Sequence, residues 1–435
     1  MNNTKSTGFH VATTFMTRII VLFGSFIVSV ILARLLGPEG KGIVTALFII
    51  PNLVVSLADL GVRQASAYFI GKKIYSVEDV LSSSLFLWLI TSFLSVGIVL
   101  VYYSITSVEV YGWFLIIIAL STIPIKLLIV YLTGIMQGTQ RIGTINIKEL
   151  LNFVVNLLGV VVLVGFLKLG VVGAASVYFL LELVALLYLF YVVKKISKVR
   201  IKYIKQIPKE MFKKGITFAL ALFILNLNYR IDIIFLEHLT SASDVGVYSV
   251  ATSLAELIWQ LPAAISLVLF SKSANSKNNV EAHNRAAKLL RMSLPLLFLV
   301  CLVFVFVSQF FVTLIYGQAY QQSADLINIL LPGVLIITIS KILHPDMAAR
   351  GYPLYGLFVF IGPLLLNILL NIIWIPQYGV NGAAWASTIS YSIGGLVYGM
   401  VYAKKEGLKL RDLLIMKKQD FLLIRSFILT IKNRL

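Results

Sequence analysis

The chain has 435 residues, 59% of them apolar and only 13% charged, whereas soluble globular proteins average about 45–50% apolar and about 25% charged. Lys and Arg number 37 against 18 Asp and Glu, a net charge of +19. This composition excludes a water-soluble enzyme with a continuous polar surface, and the lone cysteine, Cys301, excludes an intrachain disulfide and a thiolate metal cluster.

Windows of about 19 residues predict twelve membrane-spanning helices in chain order. The first six cover 11–36, 42–70, 80–104, 112–136, 146–167 and 171–193. The first is too long for a cleaved signal peptide, carries Arg18 and lacks a small-x-small cleavage site. Residues 194–214 (KKISKVRIKYIKQIPKEMFKK) alternate basic and apolar side chains and read as an interfacial connector. The second six spans cover 215–237, 245–270, 289–315, 325–346, 355–376 and 381–402. Beyond Lys404 apolar residues recur at helical spacing among cations, which predicts an amphipathic segment on an anionic leaflet. Arg425 argues against a thirteenth span there. The expected divisions are an N-terminal lobe over 1–200, a C-terminal lobe over 201–403 and a cytoplasmic tail over 404–435.

Basic residues sort by loop. The tails and alternate gaps hold Lys5, Lys72, Lys73, Arg141 and Lys148, nine cations from Lys194 to Lys214, five from Lys272 to Arg291, Arg350, and nine from Lys404 onward. The opposite gaps hold little beyond Lys41 and Lys168, with Arg34 nearby. Such asymmetry places both termini in the cytoplasm and makes the positive charge a topology signal, not a nucleic-acid footprint.

The halves repeat one another. Gly170, Gly173, Ala174 and Ala175 match Gly379, Gly382, Ala383 and Ala384 at identical spacing, and each segment ends in a Lys pair. Gly42 in LLGPEGKGIVTALFII likewise falls on Gly246 in HLTSASDVGVYSVATS. Six spans per half give both copies one orientation, a parallel repeat about the membrane normal. The expected fold is all-α, with two six-helix lobes around a central cavity, and that arrangement reads as a transporter.

The segment LARLLGPEGKGIVTALFIIPNLVVSLADLGVRQASAYFIGKK, from Leu32, carries a short LLGP loop followed by an apolar span ending in DLG. Leu35, Leu36, Gly37, Pro38, Gly42, Asp59, Leu60 and Gly61 fit this pattern, and NYRIDIIFLEHLTSASDVGVYSVA supplies its second-half counterpart. The chain thereby resembles the Wzx-type polysaccharide-biosynthesis flippases of the multidrug/oligosaccharidyl-lipid/polysaccharide exporter superfamily. The resemblance implies a bacterial cytoplasmic-membrane protein. Its activity would be translocation of undecaprenyl-pyrophosphate-linked oligosaccharides by alternating access, for surface polysaccharide (O-antigen, capsule or exopolysaccharide) synthesis. Implied partners are that glycan, membrane lipids, a polysaccharide polymerase and glycosyltransferases.

Charges inside spans are expensive and mark function by default. Five cations inside spans qualify, Arg18, Arg63, Lys126, Arg230 and Lys341, and are the expected contacts for an anionic head group. Guanidinium groups suit phosphate oxygens because they grip them in bidentate fashion. The rival readings are an Asp59–Arg63 ion pair at i, i+4 and snorkelling of Arg18 and Lys341 to the interface.

Four acids, Asp59, Glu182, Asp232 and Glu256, are candidates for coupling to H⁺ or Na⁺. Glu182 and Glu256 lead because neither has a cation one turn away, and a buried carboxyl without one can change protonation. Asn152 and Asn156, and Asn367 and Asn371, are i, i+4 pairs suited to interhelical hydrogen bonds or sugars.

Soluble-enzyme constellations are absent. The four histidines are separated, without HExxH, and GPEGKG lacks the Ser or Thr of a phosphate loop. No metal, nucleotide or other cofactor is expected. The nearest rival function is a multidrug or cation antiporter of the same superfamily. A membrane glycosyltransferase or polymerase would need a larger outer loop bearing catalytic carboxylates.

Overall fold

A computed structural model describes the backbone of residues 2–420 apart from 202, 203, 205, 275, 277 and 353. Side chains of 2–12, 214, 218, 267, 271 and 274 stand outside that description. The helices in chain order are α1 (Asn2–Ala58), α2 (Val62–Gly71), α3 (Val77–Thr106), α4 (Val108–Gly138), α5 (Ile142–Gly159), α6 (Gly170–Lys194) and α7 (Gln206–Leu239). They continue as α8 (Ala242–Ala255), α9 (Gln260–Ala274), α10 (Asn279–Tyr316), α11 (Gln321–Ala349), α12 (Leu354–Glu406) and α13 (Leu410–Leu414). A π-helical turn, Val160–Phe166, extends α5, and a 3₁₀ turn, Glu256–Trp259, joins α8 to α9.

Among the described residues, ten helical stretches are long and apolar enough to cross a membrane, and two of them, Thr13–Gly71 and Leu354–Glu406, are of double length. Each double stretch is broken at a glycine with non-helical dihedrals, Gly37 or Gly379, giving twelve spans. In GPEGKG, Gly37 takes a positive φ and Pro38, whose fixed φ suits a first helical turn, starts the next arm. The intramembrane prolines Pro124, Pro295, Pro332 and Pro363 all lie within helices whose only non-helical interruptions are glycines. The outward surface is apolar, with Phe93 81% and Phe306 78% exposed. This is a multi-pass membrane protein with an all-α, twelve-span, two-lobe architecture.

The repeat is also structural. Gly170 and Gly379 both open their copies with φ +56°, a left-handed conformation that L side chains rarely adopt. A methyl on Gly173 would lie 2.9 Å from the Leu163 carbonyl oxygen. One on Gly382 would overlap the Trp374 carbonyl, so both copies pack backbone to backbone against the preceding helix. Gly42 and Gly246 touch each other's segments: a Cβ on the first would overlap the Ala242 carbonyl, and one on the second the Pro38 carbonyl.

Packing separates two units, Met1–Glu237 with Ser241–Gly246, and His238–Thr240 with Val247–Leu435. In the first, a buried cluster gathers Phe69 of α2, Leu81 of α3, Tyr131 of α4, Leu189 of α6, and Ile207 and Met211 of α7. The 194–214 stretch, expected to join the halves at the interface, contributes its last nine residues to α7. From Gln206 it is helical and buries Ile207 and Met211, because those two residues, four apart, share one helix face. In the second unit α13 packs on α10 and α12. The described part of the expected amphipathic tail thus rests on the protein's own helices, while 421–435 lie outside the described residues.

Candidate functional site

The DLG sequence organises the first unit's polar residues. Leu60 (φ 47°) and Gly61 (φ 71°) are both left-handed and form the turn between α1 and α2. Asp59 Oδ1 accepts the Arg63 backbone N–H at 3.3 Å, capping the new helix. A helix break separates Asp59 from Arg63, expected one turn apart on a single helix face; the carboxylate takes the Arg63 N–H and also feels the charge of the Arg63 guanidinium. The Arg63 Nε is buried with no hydrogen-bond partner among the described residues.

Along the second arm of α1, Asn52, Ser56 and Asp59 fall at i, i+4 and i+7, one face of a helix. Asn52 Oδ1 accepts from Lys126 Nζ of α4 at 2.6 Å, and Lys126 Nζ stands 3.5 Å from Glu182 Oε1 of α6. Ser56 Oγ accepts from Asn226 Nδ2 of α7 at 2.9 Å. Lys126 retains 36% side-chain exposure and Glu182 13%, and Asn52 and Asn226 are exposed. The result is an open polar track inside an apolar bundle, anchored by one loose ion pair. Lys126 and Glu182, expected to serve separately as a head-group contact and a coupling acid, stand together. Asn52, Ser56 and Asn226 were missed; the i, i+4, i+7 polar pattern around Asp59 was the available signal.

The remaining candidates are dispersed. Arg18 is exposed on α1 beside Phe15 and Met16. On α7, Asp232 is fully buried, with its carboxylate accepting the Ile233 N–H at 2.9 Å, and Arg230 is half-buried. In the second unit Lys341 Nζ lies 3.7 Å from the centre of the Trp259 ring, and the Trp259 indole donates to the Val334 carbonyl at 3.0 Å. Glu256 opens the 3₁₀ turn between α8 and α9, the kind of interruption that often marks a hinge. Asn371 Nδ2 donates to Asn367 Oδ1 at 2.7 Å, and both residues are fully buried.

A second polar cluster, unforeseen from sequence, lies in the second unit. Asp346 is fully buried and accepts from Ser273 Oγ at 2.5 Å, Tyr402 OH at 2.7 Å and Arg350 Nη2 at 2.6 Å. Arg350 also donates to Glu406 at 3.0 Å, and His283 Nδ1 stands 2.9 Å from the same carboxylate oxygen. Arg291 reaches the tail, donating from Nε to Asp420 Oδ2 at 2.9 Å and from Nη1 to the Asp412 carbonyl. Burial pushes the Asp420 carboxyl up, but the Arg291 bond and the Lys417 N–H outweigh it and hold it below the ordinary Asp value. The i, i+4 spacing of Asp346 and Arg350 was visible, but Arg350 reads from sequence as a loop cation. Among the described residues no group of three or more His, Cys, Asp or Glu is placed to hold a metal ion.

A family model described as polysaccharide biosynthesis protein matches residues 4–270, which include every member of the open track. A second, MatE, matches 218–373. A putative O-antigen transporter of Shigella flexneri is 23% identical over 290 residues, covering 65% of this chain and 68% of that protein. Among solved structures, an inward-facing multidrug-resistance MATE family transporter aligns with TM-score 0.71 and 16% identity, over 92% of this chain and 98% of that one. The lipid II flippase MurJ, inward closed, aligns with TM-score 0.67 and 18% identity, over 97% and 92%. These structures share the fold.

Proposed function

The chain belongs to the polysaccharide biosynthesis protein family, and from that premise we propose that it moves a lipid-linked oligosaccharide across the cytoplasmic membrane by alternating access. At the coarser level it is a superfamily membrane transporter for a lipid-linked or small-molecule substrate. The observation that carries the finer reading is the open track of Lys126, Asn52, Ser56 and Asn226, inside the stretch that the family covers. A lipid-linked pyrophosphate must carry its charge past about 30 Å of hydrocarbon, and an exposed ammonium with amide neighbours lowers that cost. Arg18, Arg63, Arg230 and Lys341 are proposed further contacts. Glu182, partnered with Lys126, and Glu256, at its helix interruption, are the proposed coupling acids, with Asp59 and Asp232 held in local backbone contacts.

The second reading, a multidrug or cation antiporter, has equal or better support. Several of the similar solved structures are MATE transporters, one of them described as a multidrug resistance transporter, and Glu182 offsets the charge of Lys126. Deleting the gene decides between them. The glycan reading expects loss of surface polysaccharide and accumulation of unflipped lipid-linked units, with drug susceptibility unchanged. Intact polymer with raised sensitivity to organic cations would establish the antiporter. Both readings take the termini as cytoplasmic, and reporter fusions at residue 435 that are active only outside the cell would overturn that topology.

A further inference from the structure

An apolar groove of about 560 Å³ runs between the two arms of α12, within the about 300–1,000 Å³ range of ligand sites. Its walls are two helical stripes, Tyr355, Phe358 and Gly362 on the first arm and Ile393, Val397 and Val401 on the second. Spacings of 3–4 residues keep each stripe on one face, and at 1.5 Å per residue they run for about 10–12 Å. Phe358 is 69% exposed, so the groove opens on the apolar surface. No neighbour lies within 4 Å of a Cβ built on Gly362, which leaves the floor of the groove clear.

The arms are antiparallel, so Tyr355 and Val401 stand at the same end. Just beyond that end, Lys405 Nζ lies over the rings of Tyr352 and Tyr355. It is buried, and among the described residues it has no hydrogen-bond partner. An ammonium carries three donors, and leaving them unmet away from water is costly. Tyrosines beside a lysine are the residue types that sit at head-group level. Lys404, its neighbour, is exposed.

We propose that this groove binds one anionic glycerophospholipid, an acyl chain lying between the arms of α12 and the phosphate on Lys405. The lysine turns outward on its flexible stem to meet the phosphate oxygens, which supply the missing acceptors, while the tyrosine rings hold the glycerol region. The site's assignment to the inner leaflet, where anionic lipids attract basic groups, rests on the topology proposed above. Binding measured in detergent does not, so the two ideas fail separately.

Native mass spectrometry of the full chain in mixed micelles tests this with phosphatidylglycerol, phosphatidylcholine of identical chains, and glycerol 3-phosphate. The expected result is one tightly held phosphatidylglycerol, with affinity at least tenfold lower in Lys405→Gln, in Gly362→Trp and in Val397→Phe. Lys405→Arg and Lys404→Gln should bind as the wild type does, and neither phosphatidylcholine nor glycerol 3-phosphate should compete. Unchanged binding in Lys405→Gln, or in both groove-filling variants, overturns the site. Equal losses in Lys404→Gln and Lys405→Gln would make it diffuse surface attraction, and competition by glycerol 3-phosphate would make it a free-phosphate site.

Discussion

Two polar clusters in this chain solve opposite problems. Around Asp346 the groups are buried and the central carboxylate is fully partnered: it takes a serine, a tyrosine and an arginine, and the arginine passes on to Glu406. Around Lys126 the groups are open, the ion pair is 3.5 Å long, and an amide rather than a carboxylate makes the short contact. Saturation fixes helix ends. Partial saturation leaves donors for something that arrives. We therefore propose that intramembrane charge in this chain marks function where its hydrogen bonds are incomplete or exposed.

The largest expected effect comes from breaking the saturated cluster. Arg350→Ala leaves Asp346 buried with an uncompensated charge, and removing one partner of a buried pair costs about 3–5 kcal/mol. Its melting temperature in detergent and its yield should fall sharply. Unchanged melting would mean that Asp346 is reached by water and that the two clusters do not differ.

Close backbone contact comes next. Gly42→Val and Gly246→Val each force a side chain into a carbonyl of the other segment and should lower membrane yield and transport together. Gly362→Ala, with no neighbour in reach, should leave both unchanged. Steady-state levels of tagged protein check all three. Accumulation of Gly42→Val at wild-type level would contradict the contact.

These positions show how far the sequence could be read. The glycine breaks were legible because LLGP and the repeated GxxGAA demand special dihedrals or close approach, and these are local properties. The twelve spans followed from hydropathy for the same reason. Partnerships across helices were not legible. Periodicity tells which face Lys126 occupies, but not that Glu182, 56 residues away, stands on the helix beside it. Asp346 and Arg350 fall on either side of the hydropathy boundary at 346, which makes Arg350 read as a loop charge. The helical start of α7 was hidden in a run of cations, although Ile207 and Met211 have the spacing of a buried face.

The smallest expected effect is at the tail. The Asp420 carboxyl is held low, so its ionised bond to Arg291 contributes above the ordinary Asp value near about 3.9 and is lost as pH falls through the lower folded value. At pH 7 the contact is fully present. Asp420→Asn should therefore speed limited proteolysis after 406 at pH 7 with little change in melting. Equal cleavage rates in the two proteins would show that α13 is held without this pair.

We propose that the open track around Lys126, not the buried cluster around Asp346, carries transport. Proteoliposomes loaded with a lipid-linked oligosaccharide and Lys126→Met protein test it most directly. The pair is long, 3.5 Å, and its ammonium keeps 36% exposure, so the variant should melt close to the wild type. The account predicts that it nevertheless flips the lipid at least tenfold more slowly. A normally folded Lys126→Met protein flipping at the wild-type rate would contradict it.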